Sequence, residues 1–149
     1  MSVNKISTTL YSDCLFSSSD LNRRAGHVLD TALTTPVTIT RNNDSFALLK
    51  REMMTNMAKG IEQMNNITQL VNVAYRLSEG QDIKTNHQFK WIEEFDSDER
   101  SELVNEVYKA LELAKSTDDW DEVAAVIHEW RESALAIASD ELTEAFGKN

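Results

Sequence analysis

The stretch 36–50, PVTITRNNDSFALLK, decides the fold class, because it is the one hairpin-like signal in a 149-residue chain otherwise patterned as amphipathic helix. Over 37–40, valine and isoleucine alternate with threonine, which predicts a half-buried strand. Asn42-Asn43-Asp44 is turn chemistry, since Asn and Asp accept left-handed backbone angles at low cost. Apolar residues then return over 46–48 as a second strand. We expect four side chains to form the core face of this hairpin: Val37, Ile39, Phe46 and Leu48.

The segment before it, residues 17–33 (SSSDLNRRAGHVLDTAL), predicts a helix. Ser18 or Ser19 can cap its start, and Asp20 complements the positive end of the helix dipole. Pro36 ends it, because proline disfavours helix in the residue before it. The spacing assigns these residues to the buried face: Leu21, Ala25, Val28, Leu29 and Ala32.

A long helix is predicted from about Lys50 to Glu79, followed by a linker over 78–88 in which Gly80 stops the helix. Its methionine-rich stripe packs on its own core or on a dimer mate. The stripe comprises Met53, Met57, Met64, Ile67, Val71 and Ala74.

Three further helices follow the linker. The first, capped by Asp96 or Ser97, has an apolar face of Leu103, Val107, Leu111 and Ala114. The second, capped by Thr117 or Asp118, has a stripe of Trp120, Val123, Ile127, Trp130, Ala134 and Ile137. The third is a short helix, ELTEAF, that starts at Ser139 or Asp140. The fold class is therefore α+β, with a helix and β-hairpin followed by an all-helical extension.

The net charge of −10 is unevenly distributed. Residues 1–59 carry seven Lys/Arg against five Asp/Glu, a net of +2, and residues 60–149 carry eight against twenty, a net of −12. The first part tolerates a polyanion and the second repels one, which suggests two partners of opposite charge. The plain alternative is that acidic helices are simply soluble.

Composition argues against several classes of protein. One cysteine, Cys14, cannot form an internal disulfide or a cysteine-based zinc site. The polar N-terminus, MSVNKISTTLYSD, lacks the apolar run of a signal peptide, and the longest apolar runs, such as ALAIA at 134–138, are too short to span a bilayer. We expect a soluble cytoplasmic protein that does not engage a membrane.

Signals for catalysis are weak. The chain contains no phosphate loop, G-x-S-x-G motif or dinucleotide fingerprint. His128 and Glu132 have the one-turn spacing of a metal pair, but a solvated helix face explains them better. Cys14 has no fixed partner to activate it. We expect no enzyme activity, no cofactor and no metal.

Signals for binding are stronger. Asn22, Arg23 and Arg24 fall in the first turn of the predicted first helix, where arginines and backbone donors favour phosphate. Arg and Asn are also the side chains that read guanine and adenine edges. A second polar and basic group, Arg41, Asn42 and Asn43, lies at the hairpin turn. These six residues are the predicted DNA contacts, with a generic solvated surface as the alternative.

The acidic half holds all three tryptophans, and aromatic anchors amid charge are enriched where a partner is bound. The alternative is that these residues form the core of a helical hairpin. The predicted partner-binding residues are Trp91, Ile92, Phe95, Leu103, Val107, Trp120, Val123, Ile127 and Trp130.

The ordered set SSSDLNRRAGHVLDTALTTPVTITRNNDSFALLKREMM resembles the N-terminal domain of the Phd/YefM (prevent-host-death) family of type II antitoxins, over about residues 15–60. The family pattern is a helix with an arginine, a "pVxITr" strand, a polar turn, an "aVL" strand and a further helix. Its helix arginine corresponds to Arg23 or Arg24, and its strand-end arginine to Arg41. The usual Ser-Glu-Ala-Arg start is replaced by SSDLNRR, and Asn-Asn-Asp stands where a basic or glycine-containing turn is common.

The resemblance implies a dimeric DNA-binding repressor of its own promoter, with a C-terminal extension that neutralises a cognate toxin. It implies a DNA-binding and dimerisation domain over 1–60, a connecting helix and linker over 61–86, and an acidic helical toxin-binding region over 87–149. The partners expected are a toxin protein, operator DNA and a second copy of the chain. The alternative is a transcriptional regulator or adaptor whose helical tail binds a non-toxin partner.

Overall fold

A computed structural model describes residues 14–148, so the predicted polar lead over 1–13 lies outside the described residues. These residues form a three-stranded sheet, five α-helices and one short 3-10 helix, in a mixed α+β fold that is mostly helical. The elements in chain order are β1 (Leu15–Ser17), α1 (Ser18–Arg23), α2 (Ala25–Ala32), β2 (Val37–Arg41), β3 (Asp44–Leu48), α3 (Arg51–Ser78), the 3-10 helix (Lys90–Glu94), α4 (Ser97–Thr117) and α5 (Asp121–Gly147).

The chain separates into two compact units. The first unit comprises Met1–Gly60 and Lys115–Asp118, and the second comprises Ile61–Ala114 and Asp119–Asn149. The division after Gly60 falls inside α3, not in the segment 78–88 that was interpreted as a linker.

The sheet of the first unit confirms the predicted hairpin and adds a strand. β2 pairs antiparallel with β3, with Val37 opposite Leu48 and Arg41 opposite Asp44. The two-residue turn places Asn42 at φ 54, a left-handed angle that asparagine accepts readily. β1 was not predicted and pairs parallel with β2, with Ser17 beside Thr40. A three-residue strand is too short to produce a clear alternation of apolar and polar residues.

The predicted single helix over 17–33 is two helices, because the chain turns at Arg24 (φ −133, ψ 45). Ser17, rather than Ser18 or Ser19, caps α1: its hydroxyl accepts from the Asp20 amide at 3.0 Å. In return the Asp20 carboxylate accepts from the Ser17 amide at 3.0 Å. This reciprocal pair is a capping box, and it satisfies two amides at the start of the helix.

The core of the first unit is smaller than the sequence predicts. Its buried side chains are Val28, Ala32, Val37 and Ile39, with Cys14, Phe16, Leu21 and Leu48 half-buried around them. The predictions of buried Ala25 and Leu29 are wrong, because the turn at Arg24 resets the helix so that α2 buries only Val28 and Ala32. Leu29 is 53% exposed.

Phe46 is also a correction, since it is 56% exposed although it lies opposite the buried Ile39. Residues opposite one another in an antiparallel pair share a face, so the predicted face of the strand is right. The strand order is β1-β2-β3, which makes β3 an edge, and the helices of this unit pack mainly on β1 and β2. Phe46 therefore has no layer above it.

The second unit contains a larger core, and the predicted faces of α4 and α5 agree with it. The predicted stripe of α3 is partly wrong, because Met64 is 42% exposed while Leu70 and Val73, which were not predicted, are buried. α4 begins after Asp96, which forms a capping box with Glu99 at 2.9 Å in both directions, and it buries all four predicted residues. α3 ends near Gly80, whose φ of 74 supplies the left-handed helix stop. The core of this unit is Ile67, Leu70, Val73, Ile83, Phe89, Ile92, Leu103, Val107, Ala110, Leu111, Ala114, Trp120 and Val123.

Two further features of the second unit differ from expectation. The segment between α3 and the 3-10 helix is packed, because Ile83 is buried and its carbonyl accepts from the Lys90 ammonium at 2.9 Å. The prediction of a separate helix from Ser139 is wrong, since α5 runs unbroken to Gly147. The stretch at 138–140 contains no proline or glycine to stop the helix. Among residues 14–148, no helix combines the length and apolar character needed to cross a bilayer.

Candidate nucleic-acid interface and partner surfaces

The first predicted DNA-contact group, Asn22, Arg23 and Arg24, is fully exposed in the first unit. Its position in the helix differs from the prediction. Because α1 ends at Arg23, the group occupies the last turn of α1 and its junction with α2, not the first turn of one long helix. A phosphate could therefore be contacted by the side chains of these three residues, and not by free backbone amides at the start of a helix.

The two arginines of this group have different electrostatic surroundings. The Arg24 guanidinium lies 3.4 Å from the Asp20 carboxylate, one turn earlier. The pKa of Asp20 is lowered, first by the hydrogen bond from the Ser17 amide, then by the Ser17 hydroxyl and by the charge of Arg24. Within the described chain Arg23 joins no ion pair, so its positive charge is not balanced locally.

The second predicted group, Arg41, Asn42 and Asn43, is exposed at the hairpin turn. The parallel pairing of β1 and β2 places Ser17 beside Thr40. α1 begins directly after Ser17 and ends at Arg23, and the turn begins directly after Arg41. One group therefore follows β2 directly, and the other lies at the far end of the six-residue helix that follows β1. Exposed arginines and side-chain amides are the groups that contact phosphates and base edges.

Most of the predicted partner-binding residues lie inside the second unit. Six are buried in its core: Ile92, Phe95, Leu103, Val107, Trp120 and Val123. Trp91, Ile127 and Trp130 are half-buried against that core. The Trp130 ring packs edge-on against Phe95 at 5.1 Å, and its indole N–H donates to the Glu106 carboxylate at 2.7 Å. The six buried residues therefore fit the alternative interpretation, in which they form a core. Of the nine predicted partner-binding residues, only the three half-buried ones present surface to a partner.

The sequence analysis missed an exposed apolar stripe at the end of α5. Leu135, Leu142 and Phe146 are 49%, 60% and 71% exposed. They are seven and four residues apart, so on a regular α-helix they lie within about 40° of one another. The residues around them include Asp140, Glu141 and Glu144. The sequence analysis predicted two helices separated at Ser139. The regular spacing of Leu135, Leu142 and Phe146 is visible only when the helix continues through that point.

A second apolar surface lies in the first unit. Leu29, Leu33 and Phe46 are exposed, and a groove of about 270 Å³ runs between α2 and the end of β3. The rim of the groove carries one acidic and one basic side chain, Asp30 and Lys50. The groove is lined by Leu29, Asp30, Ala32, Leu33, Leu48, Leu49 and Lys50.

The candidates for metal or nucleophile chemistry remain isolated. The imidazole of His128 lies 4.0 Å from the Glu132 carboxylate, and both side chains are well exposed on α5. Within the described part of the chain, no three His, Cys, Asp or Glu side chains come together as a metal site requires. Cys14 is half-buried at the border of the first core.

Comparisons of this chain with protein-family models, with characterised proteins and with solved structures find no match.

Proposed function

We propose that the protein is a DNA-binding, homodimeric repressor that also acts as an antitoxin, with its first unit on operator DNA and its second unit on a toxin protein. One observation carries the DNA-binding part of the proposal. Six exposed arginine and asparagine side chains, in two groups at the end of α1 and at the hairpin turn, lie in the one part of the chain that is not strongly acidic. The resemblance to Phd/YefM antitoxins over residues 15–60 supports the same function.

The homodimer is supported by the apolar surface of the first unit. A four-residue core stabilises a unit of this size poorly, and covering Leu29, Leu33 and Phe46 would add buried apolar area. Asp30 and Lys50 on the groove rim are of opposite charge, so a twofold-related copy can set each against its counterpart. We therefore propose that a second copy of the chain covers this surface.

The toxin-binding part is supported by the stripe of Leu135, Leu142 and Phe146. An exposed apolar row on a helix fits a hydrophobic groove in a partner. Residues 60–149 carry a net charge of −12, which attracts a basic protein surface and repels DNA. The proposed toxin surface is therefore basic around an apolar groove.

One observation favours a second candidate function. Six of the nine residues that were expected to bind a toxin are buried within the second unit, whose core comprises thirteen residues. A tail with a core of its own also suits a transcriptional regulator or adaptor that binds a non-toxin partner.

DNA binding is tested by fluorescence anisotropy with the DNA upstream of the protein's own reading frame, measured at several salt concentrations. We expect the R23A/R24A variant to bind more weakly and to reduce the slope of log K against log salt by about 1 to 2. The matched control is K84A/K109A, which removes the same charge from exposed positions of the second unit. An unchanged salt slope in R23A/R24A would refute phosphate contact by these arginines.

Toxin binding is tested by co-expression with the product of the adjacent reading frame. We expect the wild-type chain to restore growth and L142D/F146D to fail, while both bind the upstream DNA equally. The control E129A/E144A changes exposed α5 residues outside the apolar stripe and should still protect. If no neighbouring gene product is toxic but DNA binding persists, the regulator or adaptor function is favoured.

A further inference from the structure

A cavity of about 330 Å³ lies within the second unit and takes part in neither proposed activity. Two of its walls come from α3 and α5, and its floor comes from the residues around the start of the 3-10 helix. The lining residues are Gln63, Asn66, Gln88, Phe89, Trp91, Ala124, Ile127, His128 and Arg131. Its volume is at the lower end of the range for small-molecule sites.

The charge of the cavity is opposite to that of its unit. Residues 60–149 contain twenty acidic residues among ninety, so a set of nine would include about two by composition alone. The lining contains none, and it includes an arginine and a histidine from one face of α5. Arg131 joins no ion pair among residues 14–148. The cavity therefore favours a ligand that carries negative charge.

The floor of the cavity is aromatic. Phe89 is buried, and its ring meets the half-buried Trp91 edge-on with centroids 6.1 Å apart. Packing against Phe89 on one side and Phe95 on the other holds the Trp91 indole in place. A fixed, partly exposed indole is a platform on which a planar ring stacks.

Three side-chain amides complete the lining. Gln63 and Asn66 are one turn apart on α3. The side-chain amide of Asn66 donates a hydrogen bond to the side-chain oxygen of Gln63 at 3.4 Å. The Gln88 amide donates to Gln69 at 2.7 Å, which ties the rim to the same helix. Each amide has donors and an acceptor to spare, and such groups pair with the edge of a heteroaromatic ring.

We propose that this cavity binds a nucleoside monophosphate. The base stacks on Trp91 and pairs with the amides of Gln63 and Asn66, and the phosphate is held by the Arg131 guanidinium with His128 beside it. Arg presents a planar set of donors that matches phosphate oxygens. The Glu132 carboxylate lies 4.0 Å from the His128 imidazole and limits the attraction of an anion there. The inference does not depend on the antitoxin function.

The test is a titration of the full chain with AMP, GMP, CMP and UMP, followed by tryptophan fluorescence and confirmed by calorimetry. We expect saturable binding of at least one nucleotide with a Kd below ~1 mM. The matching nucleoside, which lacks the phosphate, should bind at least about tenfold more weakly. Failure of all four nucleotides to saturate the signal, or equal affinity for nucleoside and nucleotide, would overturn the proposal.

Two variants assign the site. R131A should weaken nucleotide binding at least about tenfold. K109A removes the same charge from an exposed position of α4 and should bind as the wild type does. Circular dichroism and Tm verify folding, and R131Q replaces R131A if the alanine variant is unstable. An equal loss in R131A and K109A would mean that net charge, and not this cavity, governs the binding, and the proposal would be wrong.

Discussion

The two units of this protein bury very different amounts of apolar surface within themselves. Four residues of the first unit form its buried core, while thirteen form the core of the second. Large apolar side chains of the first unit, among them Leu29 and Phe46, are more than half exposed. The second unit also exposes large side chains, among them Ile61 at 70% and Tyr75 at 63%, besides the apolar row near the end of α5.

This difference indicates what each unit requires from a partner. Burial of apolar area is the main favourable term in folding, and a small core leaves a small margin over conformational entropy. The first unit would gain stability if a partner covered its sheet and α2. This gain is the reason for proposing that a second copy of the chain binds there. The second unit is complete without such cover, and its exposed stripe is available for recognition.

The largest effect is expected from Ile39→Asp in the first unit. Ile39 is 6% exposed, so the change places an unpaired carboxylate in a four-residue core and should cost more than about 4 kcal/mol. The first unit should unfold while the second keeps its protection, as measured by hydrogen exchange. Ala47→Asp is the matched control, because it places the same carboxylate on the neighbouring strand β3 at an exposed position outside the proposed dimer surface. Equal protection in wild type and Ile39→Asp would show that the core face is misassigned.

A smaller loss is expected from Leu103→Ala in the second unit. Leu103 is fully buried in the larger core, and the cavity left by the change should cost about 2–5 kcal/mol. Urea denaturation should show a lower midpoint with the fold retained. Leu142→Ala, at a position 60% exposed, should change stability by no more than about 0.5 kcal/mol. Similar losses for the two variants would contradict the difference in burial.

The two capping boxes allow a closer comparison of the units. Ser17→Ala removes the cap of α1 and Asp96→Ala removes the cap of α4, and each should cost about 1 kcal/mol. The same loss should multiply the exchange rate by a similar factor in both units, but the first unit should exchange faster in absolute terms, because its margin of stability is smaller. Similar absolute rates in the two units would indicate that the small core is not the weaker one.

The smallest effect concerns Glu94 in the second unit. Burial, followed by the charge of Glu141, raises the pKa of the Glu94 carboxyl. A raised pKa in the folded state means that this group's stabilising contribution is present below the unfolded pKa and is lost as pH rises through the folded pKa. Glu94→Gln should therefore stabilise the fold at pH 7 by less than about 0.5 kcal/mol and raise Tm slightly, because electrostatic contributions of partly exposed groups are small. The gain should vanish in acid, and a gain that is the same at pH 3 and pH 7 would contradict this cause.

Periodicity predicted the helices and the hairpin because each has a strong local signal. The face of α4 and the helix stop at Gly80 follow from spacing and from glycine's freedom at positive φ. β1 and the turn at Arg24 could not be predicted, since a three-residue strand and a turn without proline depend on tertiary pairing.

The candidate sites were predicted less completely than the fold. The six residues predicted to contact DNA are exposed, as their residue types suggest, although the position of Asn22, Arg23 and Arg24 in the helix was wrong. The predicted partner residues were not separable from core residues, because an aromatic residue on a helical stripe looks the same in sequence whether it packs inside or outside. The cavity with Arg131 requires residues from α3, the 3-10 helix and α5 to meet, and no single stretch indicates it.

The helix that contains the boundary between the units also limits how the protein can be divided. α3 runs from Arg51 to Ser78 without interruption, and the division falls after Gly60. A cut there leaves ten residues of helix on one fragment and eighteen on the other, and a ten-residue helix is marginal in water on its own. A protease has no loop to cleave at this point, so the two units should remain joined during limited digestion. Fragments made to test the two proposed activities separately should each retain the whole helix.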